Sequence, residues 1–550
     1  MNKNFGAGIS DFREFREKEC FYIDKSLYIK EILNENSKTI LITRPRRFGK
    51  SLNMSMLYHF FNMNEDSKDI FDGLKIMKEE NNCLSEMNNY PVIRLSFNGI
   101  AADNYENMME KIKTKISIAF KDHMYLLDSD KLFDVEKEDF LAIANKRYPD
   151  KFSYLPEEMI YLLTEFLYRH FNKRVIVLLD EYDVPLISSY TDGFYDKMIK
   201  PFKSFISNTF KDNYYLEKGV LTGVSRISKE GIFTDANNIE VYTVSDEKFS
   251  SCFGFTEEEI KEVLSEYELK PYLGGMRLWY DGYTFGNTTD LYNPWSVLHF
   301  FKKQKLQNYW INTSSNALIK MILAKCSINI KRSMERLLLG EEVEVYIDLD
   351  TIIPNIEKRE RNIWGLLLQA GYLIPTKKIK DNKFLVKLPN LEVKSFFERT
   401  IEEWSNNTLN ETLNYLINKD YENFEIKFSK LTLEMFSYLD VEEDEDENFY
   451  HAFTLGMMVD LKEKYVVLSN RESGEGRYDV CLEPLNKNAP AFIIEFKSCK
   501  KKSFEDAIKE AKTQIEDKKY ETDMRQRKIN DITRMAIVFK GKDSRIKIFD

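Results

Sequence analysis

Cysteine, glycine and proline are all scarce in this chain of 550 residues. With 21 glycines and 13 prolines, the chain cannot be a collagen-like or low-complexity protein. The six cysteines are scattered and no two have zinc-knuckle spacing, which predicts a reduced, intracellular protein. No apolar run approaches the ~18 residues of a membrane span, and the N-terminus has no apolar signal segment. We therefore expect a cytoplasmic protein without a membrane partner.

An excess of basic charge is also missing. The chain carries 80 basic and 90 acidic side chains, a net charge of −10, which excludes a uniformly basic nucleic-acid-coating protein. The charge is uneven, because residues 449–550 have 21 basic and 17 acidic side chains, a net of +4, which leaves −14 for residues 1–448. Between the two lies the acidic run 442–447 (EEDEDE), which predicts a solvated linker. A mildly basic C-terminal domain would bind nucleic acid weakly and in a salt-sensitive way.

The length predicts three or four domains, and the hydrophobic pattern separates an N-terminal α/β domain from a helical region. Over residues 1–255, short apolar runs alternate with helical patterns, which predicts a mainly parallel sheet. The runs expected to be strands are residues 39–43, 91–97, 174–179 and 219–224, with helices around 103–121 and 156–171. Residues 256–440 have mostly helical spacing and open with a capping box formed by Thr256 and Glu259.

Residues 449–550 return to an α/β pattern. We expect a helix from about residue 449, strands near 465–469, 477–482 and 491–497, a helix at 504–520, and a last strand at 534–539. The chain shows no internal repeat.

The segment RPRRFGKS, residues 44–51, follows an apolar strand and opens a helix, as a phosphate-binding loop does. The N–H groups and the dipole of a helix N-terminus favour an anion at that place. We expect Lys50 to reach the nucleotide phosphates and Ser51 to bind Mg²⁺. The loop residues expected to contact nucleotide are Arg46, Arg47, Phe48, Gly49, Lys50 and Ser51. Arg44 stands where such loops have their first glycine, and a chance GKS tripeptide is the alternative.

A second acidic signal, LLDEYD, ends the apolar run at residues 174–179. Carboxylates outside the carboxyl end of a buried strand are well placed for metal and water chemistry. We expect Asp180 to hold Mg²⁺ and Glu181 to polarise the attacking water. Asp180 as a simple helix N-cap is the alternative. After the next strand, Ser225 and Arg226 are candidates for sensing the γ-phosphate or for capping the following turn.

Near the C-terminus, GRYDV (476–480) and AFIIEFK (491–497) predict a hairpin that brings two carboxylates and a lysine together. Because side chains alternate along a strand, Glu495 and Lys497 share one face while Phe496 points into a core. Asp479 is expected to end the preceding strand. Carboxylates suit Mg²⁺ or Mn²⁺, and such a metal with a lysine is typical of phosphodiester hydrolysis. A surface ion-pair ladder is the alternative, although a buried Glu is costly without a partner.

Three further side chains are candidates for this second site. His451 opens the helix expected at 449 and is a candidate ligand for Mn²⁺, or merely a partly buried polar residue. Gln514 and Tyr520 lie on the helix expected at 504–520 and would face the substrate backbone, or form an ordinary amphipathic face. The lysines of KSCKKKS (497–503) are either phosphate contacts or a solvated cluster.

With both sites in view, the chain resembles bacterial proteins that join an N-terminal AAA-ATPase-like domain to a C-terminal nuclease domain of the PD-(D/E)XK superfamily. The resemblance covers nearly the whole chain. The stretches that carry it are GISDFREFRE, YIDKSLYIKEIL, LITRPRRFGKSLNMSML, VIVLLDEYDVPL, LTGVSRISKEGIF, YDGYTFG, YNPWSV, YWINTSSN, YHAF, ESGEGRYDV, AFIIEFK and QIEDKKY.

The resemblance implies an α/β fold class with three parts. These are a P-loop NTPase of the additional-strand class (1–255), a mostly helical middle domain with a winged helix as one alternative (256–440), and a restriction-endonuclease-like α/β domain (449–550). In that superfamily Asp479, Glu495 and Lys497 match the metal-binding and catalytic positions. His451 matches the first-helix position of RecB-like members, and Tyr478 replaces the proline of the superfamily's name.

Three functional hypotheses follow. The first is an ATPase and metal-dependent nuclease that acts on DNA, with ATP and Mg²⁺ (or Mn²⁺ at the nuclease site) as cofactors. The second is a nucleotide switch whose C-terminal domain binds nucleic acid or a partner without cleaving. The third is an ATPase that acts on RNA or protein. A contact with the 2′-OH would distinguish RNA from DNA, and the sequence does not reveal whether the protein makes one. Assembly of copies through the ATPase domain is a further expectation.

Overall fold

A computed structural model describes most of the chain. The described residues are 5–79, 81–147, 155–225, 238–311, 317–348, 356, 359–438, 450, 454–455, 458, 461, 463–469, 472–473, 476–477, 479–499, 502–517, 521–541 and 543–549. The chain divides into two compact units, Met1–Glu398 and Arg399–Asp550. Among the described helices, none combines the length and the apolar character needed to cross a bilayer.

The first unit is built around a parallel sheet, formed within the described residues by five strands. They are β1 (Thr39–Thr43), β2 (Val92–Ser96), β3 (Val175–Asp180), β4 (Leu216–Gly223) and β5 (Ile239–Tyr242). The order is β2-β3-β4-β1-β5, and every pairing is parallel. Strand β4 therefore lies between the strand before the phosphate loop and the strand that ends at Asp180. This inserted strand confirms the P-loop fold of the additional-strand class.

Both faces of this sheet are covered. Strands β1 and β3 are buried along their whole length, as strands of a parallel sheet between helical layers are. The described helices of this part are α1 (Phe12–Glu17), α2 (Leu27–Leu33), α3 (Lys50–Phe61), α4 (Lys68–Phe71), α5 (Asn81–Leu84), α6 (Tyr105–Lys121), α7 (Asp134–Asn145), α8 (Met159–Phe171), α9 (Val184–Thr191) and α10 (Tyr195–Phe210). The four strands and the three helices expected here from the apolar pattern are confirmed.

The rest of the first unit mixes helices with short strands. Its elements are α11 (Glu257–Glu266), α12 (Leu273–Tyr280), β6 (Tyr283–Phe285), β7 (Thr288–Leu291), α13 (Pro294–Lys303), α14 (Ala317–Lys325), α15 (Ile328–Leu338), β8 (Val343–Tyr346), α16 (Glu360–Gln369), β9 (Ile374–Lys380) and β10 (Lys383–Lys387). The expected capping box is confirmed, because the Glu259 N–H donates to the Thr256 hydroxyl and the Thr256 N–H donates to the Glu259 carboxylate.

Strands β8, β9 and β10 form an antiparallel sheet in the order β8-β10-β9. Helix α16 lies between β8 and β9 in the sequence and is largely buried. A helix, a strand, a second helix and a final hairpin follow one another as in a winged helix, so this geometry supports that alternative. Since the region also contains the β6–β7 hairpin, it has more strand than its helical sequence pattern indicates.

The second unit surrounds a mixed sheet. Helix α17 (Leu391–Ile417) crosses the division after Glu398, and the further elements are α18 (Tyr421–Tyr438), β11 (Tyr465–Ser469), β12 (Glu472–Ser473), β13 (Gly476–Arg477), β14 (Val480–Pro484), β15 (Ala491–Ser498), α19 (Phe504–Asp517), α20 (Thr522–Gln526), β16 (Ile532–Lys540) and β17 (Asp543–Phe549). The order is β11-β14-β15-β16-β17, where β15 and β16 are parallel and the other pairs antiparallel.

Each face of this sheet has its own apolar core. On one face, Phe492, Ile494 and Phe496 pack with residues of α17 and α18. On the other, Ile493 packs with Ala507 and other residues of α19. The alternation expected along β15 is thus confirmed, and Glu495 and Lys497 belong to the face that α19 covers.

The structure departs from the expectations in the second unit at two places. Helices α17 and α18 were expected to belong to the middle domain, but they share a core with the C-terminal sheet, so the units divide after Glu398 and not near residue 440. The strand expected at 534–539 is β16, and it is followed by one more strand, β17. The expected linker at 442–447 lies outside the described residues, as does most of the helix expected from residue 449.

Candidate functional site

The predicted phosphate loop connects β1 to α3. Gly49, the residue before α3, has a φ of +86°, in the left-handed region that glycine adopts at little cost. Lys50 is the first residue of the helix, and its Nζ donates to the main-chain carbonyls of Arg44 and Pro45, each at 2.9 Å. Burial lowers the Lys50 pKa to about 8. The ammonium group is therefore enclosed by the loop, as a phosphate-binding lysine requires.

The two expected Mg²⁺ ligands of this site lie together. The Ser51 hydroxyl donates to Asp180 Oδ2 at 2.6 Å, although the residues are 129 positions apart. The other carboxylate oxygen of Asp180 accepts a hydrogen bond from the Thr222 hydroxyl on β4. Asp180 is thus the last residue of β3, aimed at the start of α3, and is not an N-cap. Hard oxygen donors suit Mg²⁺, so the Ser51 and Asp180 side chains fit this ion.

Glu181, the expected water-polarising residue, follows directly. Its φ of +54° is unusual for a residue with a side chain, and such backbone strain is concentrated at functional sites. Burial, and then the neighbouring Asp180 carboxylate, raise the Glu181 pKa. A carboxyl group with a raised pKa is better suited to accept a proton from water near neutral pH.

The third acid of the motif has a different task, which the sequence did not reveal. Asp183 Oδ2 accepts the N–H groups of Val224 and Ser225 at 2.9 and 3.0 Å, and also the Ser225 hydroxyl. Ser225 is therefore tied to Asp183 and buried, which favours the capping role over γ-phosphate sensing. Arg226, the other sensing candidate, lies outside the described residues.

Arg44, which stands at the position of the loop's first glycine, has a fully buried side chain. Its buried guanidinium donates to the carbonyls of Thr43 and Thr243, at 2.8 and 2.7 Å, and to that of Phe249 at 3.1 Å. It also lies over the rings of two phenylalanines, Phe253 and Phe285. Burial lowers the Arg44 pKa to about 10. Arg44 consequently fixes the loop to the segment after β5.

Two loop residues, Phe48 and Arg47, lie against aromatic side chains of the region after the sheet. The Phe48 ring is buried and contacts the rings of Tyr283 and Phe285, with centroid distances of 4.9 and 5.2 Å. The Arg47 guanidinium lies 4.1 Å from the centroid of the Trp295 ring, while Arg46 is half-buried. Tyr283 is itself buried, so its ring and that of Phe48 form part of one apolar core behind the loop.

The second site lies on the β14–β15 hairpin of the second unit. Asp479 was expected to end a strand. The structure places it instead directly before β14, which begins at Val480. Asp479 Oδ2 accepts the N–H of Phe496 at 2.8 Å, which holds this carboxylate beside the middle of β15. Asp479 and Phe496, which are 17 positions apart, are therefore brought together, as the predicted hairpin requires.

Glu495 and Lys497 are both buried on β15. The Glu495 side chain is fully buried, and its Oε1 lies 3.4 Å from Lys497 Nζ. Lys497 Nζ also donates to the carbonyl of Phe496 at 2.8 Å. An ion pair on an exposed hairpin would be solvated, so this burial argues against the surface-ladder alternative. The carboxylates of Asp479 and Glu495 supply hard oxygen donors that suit Mg²⁺ or Mn²⁺.

The remaining candidates are only partly described. Gln514 is half-buried on α19, the helix that covers the Glu495 face of the sheet. His451 and Tyr520 lie outside the described residues, so their roles stay predictions. Within the described part of the chain, no cluster of three or more His, Cys, Asp or Glu side chains is placed to hold a single metal ion.

The chain is similar in sequence to a curated protein and in structure to several solved proteins, among them a Walker-type ATPase and an ORC2 protein. An "Uncharacterized protein in vnfD 5'region" of Azotobacter chroococcum mcd 1 is 26% identical over 403 residues, which is 72% of this chain and 69% of that protein. The Walker-type ATPase paby2304 of Pyrococcus abyssi aligns with a TM-score of 0.32 at 14% identity, over 72% of this chain and 98% of the other. The ORC2 protein of Aeropyrum pernix aligns with a TM-score of 0.23 at 12% identity, over 69% and 93%.

Two family models match separate parts of the chain. Residues 6–233 match the family described as "Predicted AAA-ATPase", and these residues contain the phosphate loop, Asp180 and Glu181. Residues 445–548 match the PD-(D/E)XK nuclease superfamily and contain Asp479, Glu495 and Lys497. The chain therefore consists of an N-terminal AAA-ATPase-like domain and a C-terminal PD-(D/E)XK nuclease superfamily domain, joined by the helix-rich region between them.

Proposed function

We propose that this protein binds and hydrolyses ATP and that its C-terminal domain cleaves DNA phosphodiester bonds with Mg²⁺ or Mn²⁺. The observation that supports the nuclease most strongly is the geometry of the β14–β15 hairpin. It holds the Asp479 carboxylate beside β15 through the Phe496 N–H and buries Glu495 next to Lys497. A carboxylate and an ammonium group buried on one strand, with a second carboxylate held beside it, are costly to maintain without a chemical task.

In this proposal each side chain has a stated role. Asp479 and Glu495 would hold the metal, which when bound lowers the pKa of water and neutralises charge on the phosphate. Lys497 would orient the attacking water or contact the scissile phosphate, because its ammonium is already held next to Glu495 Oε1. Gln514, on the helix over the same face, would contact the substrate backbone.

The nucleotide site has a parallel division of labour. Lys50 would neutralise the β- and γ-phosphates, while Ser51 and Asp180 would hold Mg²⁺. Glu181 would accept a proton from the attacking water, a role that its raised pKa supports. The half-buried Arg46 adds positive charge beside the loop.

One contact favours a second candidate function, a nucleotide switch. Phe48 belongs to the phosphate loop, yet its ring packs against Tyr283 and Phe285 of the following region. A shift of the loop on nucleotide binding would have to move these rings as well, because packed aromatic contacts do not deform freely. In this alternative the C-terminal domain grips its partner without cleaving it.

A cleavage assay with closed circular DNA separates the two candidates. Wild-type protein is compared with Lys497→Ala and Lys50→Ala, in Mg²⁺ and in Mn²⁺, with and without ATP. Lys487→Ala is the matched control, because Lys487 is exposed in the loop at the opposite end of the same hairpin. Unfolding midpoints show whether each variant is folded.

The nuclease proposal predicts metal-dependent cleavage that Lys497→Ala abolishes and Lys487→Ala keeps. If Lys50→Ala alters cleavage only when ATP is present, the nucleotide site gates the nuclease. Failure of the wild-type protein to cleave DNA with either metal would sink the nuclease and leave the switch.

A further inference from the structure

The β8-β10-β9 sheet has one face with an unusual concentration of lysine. Along β10, Lys383, Leu385 and Lys387 lie on the same face because side chains alternate. The register places Lys380 opposite Lys383 and Lys377 opposite Leu385, so β9 adds two more lysines to this face. Strand β8 adds Glu344 and Tyr346, opposite Leu385 and Lys383. The face therefore carries four lysines and one glutamate.

The burial of β8 and β10 shows which face is open to solvent, while β9 is exposed from Thr376 to Lys380. Val343 and Val345 of β8 and Val386 of β10 are buried on the inner face. On the outer face, Lys377, Lys380 and Lys387 are exposed, and Tyr346 is 51% exposed. These seven outer residues are named the basic face: Lys377, Lys380, Lys383, Lys387, Leu385, Glu344 and Tyr346.

Three of the four lysines of the basic face differ from Lys383 in their ion pairing within the described residues. Lys383 forms an ion pair with Glu344. Among the described residues, no carboxylate forms an ion pair with Lys377, Lys380 or Lys387. The two-residue turn Asp381–Asn382 fixes the hairpin, because Asn382 has a φ of +58° and its carbonyl accepts the Ile347 N–H at 2.8 Å. The lysines are thus displayed on a hydrogen-bonded, three-stranded sheet.

We propose that the basic face binds the sugar–phosphate backbone of DNA without reading its sequence. This inference rests on the proposed nuclease function, for which it supplies a second DNA contact on the first unit. Strand β10, with five residues, is about 17 Å long. A duplex carries one charge per about 1.7 Å of axis, so such a strand lies alongside several phosphates.

Two observations favour backbone contact over base recognition. Helix α16 between β8 and β9 has most of its residues buried, including Trp364, so it is not free to enter a groove. The Tyr346 ring is already covered by ammonium groups, since Lys380 and Lys383 Nζ lie 5.9 and 5.3 Å from its centroid. Lysine is a flexible point charge, suited to phosphate and not to bidentate recognition of a base.

The test measures binding apart from cleavage. Full-length protein is titrated into a fluorescent DNA duplex in chelating buffer, at several salt concentrations and with two unrelated sequences. The variant is Lys377→Glu, Lys380→Glu and Lys387→Glu together. The matched control is Lys121→Glu, Lys197→Glu and Lys200→Glu, which gives the same net charge but changes exposed lysines on α6 and α10. A Lys→Gln version of the first triple guards against a folding defect.

The proposal predicts that both versions of the basic-face variant bind DNA at least about tenfold more weakly, equally for both sequences. The slope of log K against log salt should fall by up to about 2.7, about 0.9 for each lost phosphate contact. The control triple should bind as wild type. Equal affinity of all variants, absence of wild-type binding, or tighter binding to RNA or to polyglutamate than to DNA would overturn it. If the basic-face variants lose DNA affinity as predicted but the wild-type protein cleaves no DNA, only the nuclease proposal is refuted.

Discussion

Replacing Phe48 by alanine tests how the phosphate loop is supported. The Phe48 ring is only 1% exposed and contacts the Tyr283 and Phe285 rings. Removing a buried phenyl group typically costs about 3–5 kcal/mol of unfolding free energy, since it leaves a cavity as well as losing the transfer term. A loop without this anchor must also be ordered when nucleotide binds. Ordering one residue costs about 1–2 kcal/mol, so we expect nucleotide binding to be roughly 5- to 30-fold weaker.

The matched control is Phe120→Ala. Phe120 is also fully buried, on α6, where it packs against Phe140. Both variants should lose a similar unfolding free energy, which urea denaturation followed by tryptophan fluorescence measures. This signal reports chiefly on the first unit, because four of the five tryptophans lie there. Only Phe48→Ala should weaken binding of a non-hydrolysable ATP analogue, and Phe48→Leu should be intermediate. Equal nucleotide affinities for the two alanine variants would refute the anchoring role.

Three further outcomes follow from buried charges of the first unit. Nucleotide affinity should fall as the pH rises through about 8, the Lys50 pKa, because the ammonium is present below that value and lost above it; Lys50→Arg should remove this dependence. Arg44→Gly, which restores the usual glycine, should lower the unfolding free energy by about 1–3 kcal/mol because buried carbonyls lose their donor. Glu392 accepts the N–H groups of Tyr309 and Trp310, and burial raises its pKa to about 7. Glu392→Gln keeps a hydrogen-bond acceptor and should therefore lower the unfolding free energy little. Glu392→Ala removes the acceptor and should lower the thermal unfolding midpoint clearly.

The sheet of the first unit was predictable because its central strands are unbroken apolar runs. Strand β3 is buried at every position, and only a strand covered on both faces tolerates that pattern. Strand β5 was missed, since its four residues, Ile239–Tyr242, are only partly buried and carry a glutamate. Strand β17 was missed for a related reason: it is an edge strand in which charged residues alternate with apolar ones.

The chemical residues were predictable where a motif has a short spacing. Lys50, Ser51 and Asp180 were assigned from local context, and the structure brings Ser51 and Asp180 together. The support of the phosphate loop was not predictable, because the Phe48–Tyr283 contact joins residues more than 230 positions apart. The local sequence did not distinguish the role of Asp183 from that of Asp180 either. Only the fold determines that the Asp183 carboxylate accepts the N–H of Val224, directly after β4.

The division into units depended on long-range packing as well. Helix α18 has a helical pattern that suits any helical domain. Its residues Phe424 and Phe428 join the same core as Phe492 of β15, more than 60 positions further along the chain. The acidic run at 442–447 indicated a boundary by its charge alone, and charge does not show which core the preceding helices enter.

The central claim is that the Asp479–Glu495–Lys497 group is a metal-dependent DNA-cleaving site on an ATPase. The most direct measurement is the rate of closed circular DNA cleavage in Mn²⁺ by wild type and by Glu495→Gln, with ATP hydrolysis followed in the same samples. Removing one carboxylate charge should abolish cleavage while ATP hydrolysis continues at the wild-type rate. Equal cleavage by the two proteins would contradict the claim, as would a wild-type protein that hydrolyses ATP but leaves the DNA intact.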